Sequence, residues 1–205
     1  MVRKIIKILI SFVLVISWKA GGMTQRVSSE WTRLFGRLRQ FGLKSDEHAI
    51  VVDISDQRLY LIKDGRIVKT FPISTSKYGI GNKEGSYRTP LGMHRIFEKI
   101  GEGAKIGTVF TSLNNTGRVA EIYTDRTDVQ EDFITTRIMW LEGLEFGVNN
   151  GEGIDSRERR IYIHGTPEEG LIGTPASHGC IRMKNRDIVE LFDLVERDAL
   201  VYIRE

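Results

Sequence analysis

At 205 residues the chain suits one domain of about 150 residues with a short attachment, long enough to bury a core without disulfides. Its 30 basic and 27 acidic residues leave a net charge of +3, too mild for a nucleic-acid footprint, so no nucleic-acid partner is expected. A single cysteine, Cys180, excludes an internal disulfide and is either an inert buried thiol or a reactive one.

The first segment places Arg3, Lys4 and Lys7 ahead of an apolar run from Ile8 to Trp18, which ends in Lys19 and the small residues Ala20, Gly21 and Gly22. That is the layout of a secretory signal, and the run falls short of the ~20 apolar residues of a comfortable membrane span. Residues 1–22 are therefore expected to be a signal peptide or membrane anchor, and the protein to be exported to the periplasm or cell envelope. An amphipathic N-terminal helix is the plainer alternative, and a start at Met23 would remove the signal. Between 24 and 41, Val27, Trp31, Leu34, Phe35, Leu38 and Phe41 recur at helical spacing among Arg26, Arg33, Arg37 and Arg39. This predicts a helical connector over 23–48, packed on the domain or lying on an anionic membrane surface.

From Ala49 to Glu205 the pattern is that of strands. "AIVVDIS", "QRLYLIKDG" and "RIVKTFPIS" are β-rich, the last two joined at Asp64-Gly65, a strong hairpin signal. "GMHRIFEKI", "VAEIY", "FITTRIMW" and "RRIYIHG" continue the series between glycine-rich connections, 21 glycines in all. Strands do not alternate with helices before residue 185, which excludes a doubly wound parallel sheet and predicts a mainly β fold, an antiparallel sandwich or barrel. One late helix is predicted over Asn185 to Arg197, capped by Asn185 and apolar at Ile188, Leu191, Phe192 and Val195, before a last strand "ALVYI". "GEGAKIG" at 101–107 lacks the strand-turn-helix context of a dinucleotide loop and reads as a plain connection. Arg157, Arg159 and Arg160 read as a solvated strand edge, and His48 and His94 as surface or packing residues.

Chemistry concentrates in "IYIHGTPEEGLIGTPASHGCIRM", residues 161–183. Cysteine attacks as thiolate, so a nucleophilic Cys180 needs an imidazole close by, and His164 and His178 are the candidates. In an extended chain His178 shares a face with Cys180, whereas His164 ends a strand and can approach from a neighbour. Gly179 clears a side chain beside the sulfur, so the amides of Gly179 and Cys180 can point at an incoming carbonyl oxygen as an oxyanion hole. Arg182 is placed to hold a substrate carboxylate in bidentate fashion. A zinc site on His164, His178 and Cys180 lacks the usual paired spacing, so no metal is expected.

The run "IHGTPEEGLIGTPASHGCIRM" resembles the signature of the L,D-transpeptidase catalytic domain, the YkuD-type fold of bacterial cell-wall enzymes. Upstream, "IVVDISDQRLYLIKDGRIVKTFPISTS" is similar to the family's opening hairpin and "YRTPLGMHRI" to its Thr-Pro-x-Gly element, so residues 49–203 are covered. The resemblance implies a β-sandwich with the cysteine at the base of a cleft, no cofactor, and exchange on peptidoglycan stem peptides in cell-wall synthesis. Cys180 would attack the carbonyl of the third stem residue, expel the terminal D-alanine and leave a thioester for an amine acceptor. It carries over His164 as proton acceptor, the Gly165 carbonyl as its orienting partner, Gly179 and Cys180 as oxyanion donors, and His178 with Ser177 as supporting residues. Ser177 and Arg182 fall on the substrate side, although some members have Asn at the position of Arg182. The acceptor stays open among another stem peptide, a lipoprotein lysine, a D-amino acid and water, the last defining an L,D-carboxypeptidase. A non-catalytic wall-binding module is the remaining alternative.

Overall fold

The computed structural model describes residues 20–129 and 132–205. The signal or anchor expected over 1–22 therefore lies almost wholly outside the described residues. The chain divides into two compact units, one ending at Arg37 and one running from Leu38 to Glu205. Helix α1 (Ala20–Gln40) accounts for the described part of the first, where Trp31 and Phe35, one turn apart, hold their rings 5.9 Å apart. Among the described residues no helix is long and apolar enough to cross a membrane.

The second unit is built from ten strands: β1 (Ala49–Asp53), β2 (Arg58–Lys63), β3 (Arg66–Ser74), β4 (Gly92–Ile100), β5 (Thr108–Thr111), β6 (Asn114–Val119), β7 (Ile134–Gly143), β8 (Tyr162–Gly165), β9 (Ile181–Met183) and β10 (Leu200–Arg204). A single helix, α2 (Asn185–Leu194), stands between β9 and β10. The strand order is β4-β10-β1-β2-β3-β9-β8-β7-β5-β6, and a further β4–β7 pairing closes all but the β5–β6 hairpin into a ring. The mainly β architecture matches the sequence reading. Hydrogen bonding nevertheless runs unbroken round the ring, where the resemblance implies a sandwich of separate sheets. Two pairs, β1–β10 and β8–β9, are parallel, a departure from the all-antiparallel expectation.

Side-chain alternation decides what the ring encloses. Ile50 and Val52, Leu59 and Leu61, Phe71 and Ile73, Met139 and Leu141, and Val201 and Ile203 point inward at period two into one apolar cluster. Ile163 of β8 and Ile181 and Met183 of β9 join it, and α2 adds Ile188, Leu191 and Phe192. Since Ile163 and Ile181 face inward, Tyr162, His164 and Arg182 face outward. The site is thus on the outer face of the parallel β8–β9 pair, and β5 lays Phe110 against Ile138 and Tyr162 beside it.

Locally the sequence explains most elements. Asp64 (φ 51°) and Gly65 (φ 68°) both take the left-handed conformation that a two-residue hairpin turn demands. Three details differ. The strand expected at "VAEIY" ends at Val119, and Tyr123 keeps only an isolated bridge to Glu168. Helix α2 stops at Leu194 rather than Arg197. Its N-cap is Lys184, without a side-chain bond, because Asn185 turns its amide into the protein instead.

Candidate active site

The parallel register pairs His164 with Arg182 and Gly165 with Met183. His164 is 1% exposed, and its Nδ1 lies 2.8 Å from the carbonyl oxygen of Gly165. A carbonyl only accepts, so Nδ1 carries the proton and Nε2 keeps its lone pair. Burial lowers the pKa of this imidazole, Arg182 adding to the effect while Asp132 and the Gly165 carbonyl oppose it, so the ring is neutral near pH 7. Glycine is required at 165, because a Cβ there would stand 2.7 Å from both Asn185 Oδ1 and the Thr135 carbonyl. Asn185 is the hub beneath. It accepts from Thr135 Oγ1 at 2.7 Å and from Thr136 Oγ1, and donates to the Thr166 carbonyl at 2.7 Å and to Glu169 Oε1 at 2.8 Å.

Cys180 closes a tight turn. Ser177 Oγ donates to the Cys180 carbonyl at 2.6 Å and accepts from the Gly179 amide at 3.2 Å. Gly179 sits at φ 122°, and a Cβ there would be 3.3 Å from the Arg88 carbonyl, so both conformation and space call for glycine. The sulfur accepts from the Tyr162 amide at 3.4 Å, and the thiol reaches the Arg160 carbonyl at 3.5 Å. Burial pushes the thiol up to about 12; Asp132 adds to the rise, while the Tyr162 amide, Arg182 and Arg159 pull the other way. At rest this is a neutral thiol on the strand pair that carries a neutral imidazole. The sequence argument asks for an imidazole that lowers the thiol pKa or takes its proton; desolvation of both groups favours the second.

Arg182 is 2% exposed and already paired, with Glu168 at 2.6 Å and Asp132 at 2.7 Å. The expectation that it grips a substrate carboxylate does not fit a buried guanidinium held by two carboxylates. Ser177 is likewise fully buried with its hydroxyl used inside the turn, so it faces no substrate. His178 is on the exposed side, its Nδ1 2.9 Å from Asp132 Oδ2 and its ring 5.8 Å from that of Tyr78 and 6.1 Å from that of Tyr87. Burial raises the Asp132 pKa, but the charge and hydrogen bond of Arg182 outweigh it, so the carboxyl is held below its usual range. Glu168 is held the other way, raised by burial although the Val129 amide and Arg182 oppose it.

Asp132 and Glu168 carry no role in the sequence reading. Asp132 is 46 residues from His178 and has no local signal. Glu168 stands within the quoted segment, and a buried arginine facing it is the clue that a counter-charge was needed. Arg159, read as a solvated edge, is half-buried and donates to the carbonyls of Gly81 at 3.3 Å and Arg88 at 2.7 Å. With Glu84, Tyr87, Glu158, Ile161 and His178 it lines a cavity of about 230 Å³. A larger one of about 440 Å³, around Phe41, His48 and Leu200, shares no residue with this network. Among the described residues no group of three or more His, Cys, Asp or Glu could hold a metal ion.

A closed β-sheet that carries a thiol in a glycine turn beside a carbonyl-oriented imidazole has the parts of a thiol-based acyl-transfer domain. The chain belongs to the YkuD family, the L,D-transpeptidase catalytic domain, whose profile matches residues 47–203. Similar solved structures include an L,D-transpeptidase from Mycobacterium smegmatis, 18% identical, with 78% of this chain and 59% of that chain covered at a TM-score of 0.47. An L,D-transpeptidase from Xylanimonas cellulosilytica is 18% identical over 78% of this chain and 62% of that one, at 0.45. One from Enterococcus faecium is 17% identical over 78% and 50%, at 0.42. The chain thus spans less than two thirds of the length of these structures. No curated protein sequence matches it.

Proposed function

We propose that the protein is a peptidoglycan L,D-transpeptidase with Cys180 as nucleophile. Family membership supports the reaction class. The observation that carries the assignment is the outer face of β8–β9, where the Cys180 thiol lies against the backbone at Arg160 and Tyr162, two residues along from an imidazole whose Nδ1 is pinned to Gly165. Sγ attacks the carbonyl of the third stem residue, His164 Nε2 accepts the thiol proton and returns it to the departing amine of D-alanine, and a thioester remains. Because the thiol is neutral at rest, its proton leaves as the S–C bond forms, which makes the base essential to attack rather than to a standing thiolate. The Cys180 amide, which has no acceptor among the described residues, is the oxyanion donor; the Gly179 amide is held by Ser177 Oγ at rest. Arg182, Glu168 and Asp132 hold the strand and turn in register from behind. The basic-then-apolar start supports work outside the cytoplasmic membrane, where stem peptides are joined, with the N-terminal segment as the means of membrane association or export.

Incubation of the protein with a defined tetrapeptide fragment, read by mass, tests this. Release of D-alanine and a thioester adduct on the parent are expected, and Cys180→Ala should lose both by at least about 10⁴-fold. D-alanine release by Cys180→Ala at the parent rate would sink the assignment. The same spectra separate a joined product from a hydrolysed tripeptide, and so an amine acceptor from water.

A further inference from the structure

The reaction proposed above has two halves, and the site has two imidazoles in different surroundings. Resting on that reading, we propose that His178, held by Asp132, takes the proton of the amine acceptor in the second half, and that the cavity beside it receives that amine.

The tautomer is the first argument. Asp132 is an ionised carboxylate that only accepts, so its 2.9 Å contact fixes the proton of His178 on Nδ1. In the neutral ring the lone pair is then on Nε2, which has no partner among the described residues. Position is the second. His178 lines the cavity of about 230 Å³ together with Arg159 and Ile161. The residues flanking Ile161 are the two that touch the nucleophile, Arg160 through its carbonyl and Tyr162 through its amide. The cavity lining therefore includes the residue between the two that hold the sulfur. Charge is the third. A primary amine arrives as an ammonium ion, and Glu84 and Glu158 face the same space. Arg159, the cation there, is committed in part to the carbonyls of Gly81 and Arg88. His164 is poorly placed for this task, being 1% exposed, whereas the His178 side chain is 38% exposed. Tyr78 and Tyr87 flank the His178 ring, and Arg182 stands behind Asp132.

In the step itself the ammonium first sheds one proton to solvent. The amine nitrogen then forms a bond to the thioester carbonyl carbon while its second proton moves to His178 Nε2. The C–S bond breaks with its electron pair on sulfur, and the proton held by His178 returns through solvent to restore the thiol. One thioester and one amine become one amide and one thiol. The high proton affinity of the buried sulfur favours the last transfer.

The test separates the halves in the full chain, with a tetrapeptide as donor and a D-amino acid as acceptor. Acylation is read as the burst of released D-alanine, and aminolysis as decay of the thioester, by intact mass, after the amine is added. His178→Ala should lose about 10²-fold or more in aminolysis and clearly less in acylation, so that thioester accumulates, and added imidazole should restore part of the aminolysis rate. Asp132→Asn should lose about tenfold in aminolysis through the freed tautomer, with partial recovery in Asp132→Glu. Unchanged aminolysis in His178→Ala overturns the proposal. So does a parallel fall of both halves without rescue by imidazole, which would mark His178 as part of the wall. A parent that forms no thioester would instead refute the transpeptidase reading, and this proposal with it.

Discussion

His94 and His164 are both buried on strands of one sheet, both set Nδ1 against a main-chain carbonyl, and both have their pKa lowered chiefly by burial. Each has a buried asparagine hub close by: Asn149 donates to the Leu91 and Met93 carbonyls at 3.1 and 3.0 Å next to one, as Asn185 serves Thr166 and Glu169 next to the other. They differ at the second nitrogen. His94 Nε2 is closed by Ser156 Oγ at 2.9 Å, whereas His164 Nε2 has no hydrogen-bond partner among the described residues. Burial and a shifted pKa therefore do not separate the two histidines; on the proposed reading, a spare lone pair on the side of the thiol does.

The sharpest way to break this comparison is to exchange the outcome of the same substitution at both places. His164→Gln should cut the single-turnover rate of D-alanine release by about 10² to 10⁴-fold, since it removes the proposed general base, while leaving the thermal midpoint near that of the parent. His94→Gln should lower the midpoint and leave the rate per folded molecule intact. Equal effects on rate from both would mean that the open nitrogen has no special part.

The second difference is charge. The hydrogen-bond partners of His94 are neutral, a carbonyl and a hydroxyl, and the charges of Arg159 and Asp155 act on it in opposite directions, whereas His164 is paired in register with Arg182, whose partners are Glu168 and Asp132. Arg182 and Glu168 are 2% and 1% exposed, so removing one partner strands a buried charge. Glu168→Ala should cost about 3–5 kcal/mol in denaturant unfolding, and Glu168→Ala with Arg182→Met should recover much of it. Failure of the double variant to recover would show that Glu168 matters through its bond to the Val129 amide rather than through the arginine.

How far the sequence reveals this arrangement depends on the range of the forces involved. Strands such as Arg66–Ser74 and Gly92–Ile100 are legible because alternation and the Asp64-Gly65 turn act locally. The short β5 and β9 are not, since three or four residues carry too little periodicity. Cys180, His164 and His178 lie within one segment and are legible as a cluster. Asp132 is not, because the force that recruits it is the charge of Arg182 across the fold. Asn185 looks like a helix cap in sequence, and only the packing of Thr135 and Thr136 above it turns the side chain inward.

The smallest effect separates the two histidines by pH. His94 is fully buried, and burial takes its pKa from an ordinary 6.5 to about 4 in the folded state. The unfolded chain therefore binds more protons at this position wherever the pH lies between those values, and stability falls as pH falls through that window. Above about 6.5 both states hold the ring neutral and nothing is lost. The slope approaches about 1.4 kcal/mol per pH unit and the full loss near pH 4 is about 3 kcal/mol. His164 shifts in the same direction and adds its own share, while Glu168, whose folded pKa is raised, works against both. Subtraction isolates the His94 share: urea unfolding of the parent and of His94→Gln at pH 7, 6, 5 and 4 should give curves that converge as the pH drops. Parallel curves would mean that Ser156 and the Gly92 carbonyl accommodate a charged ring, and the contrast between a closed and an open imidazole would then rest on reactivity alone.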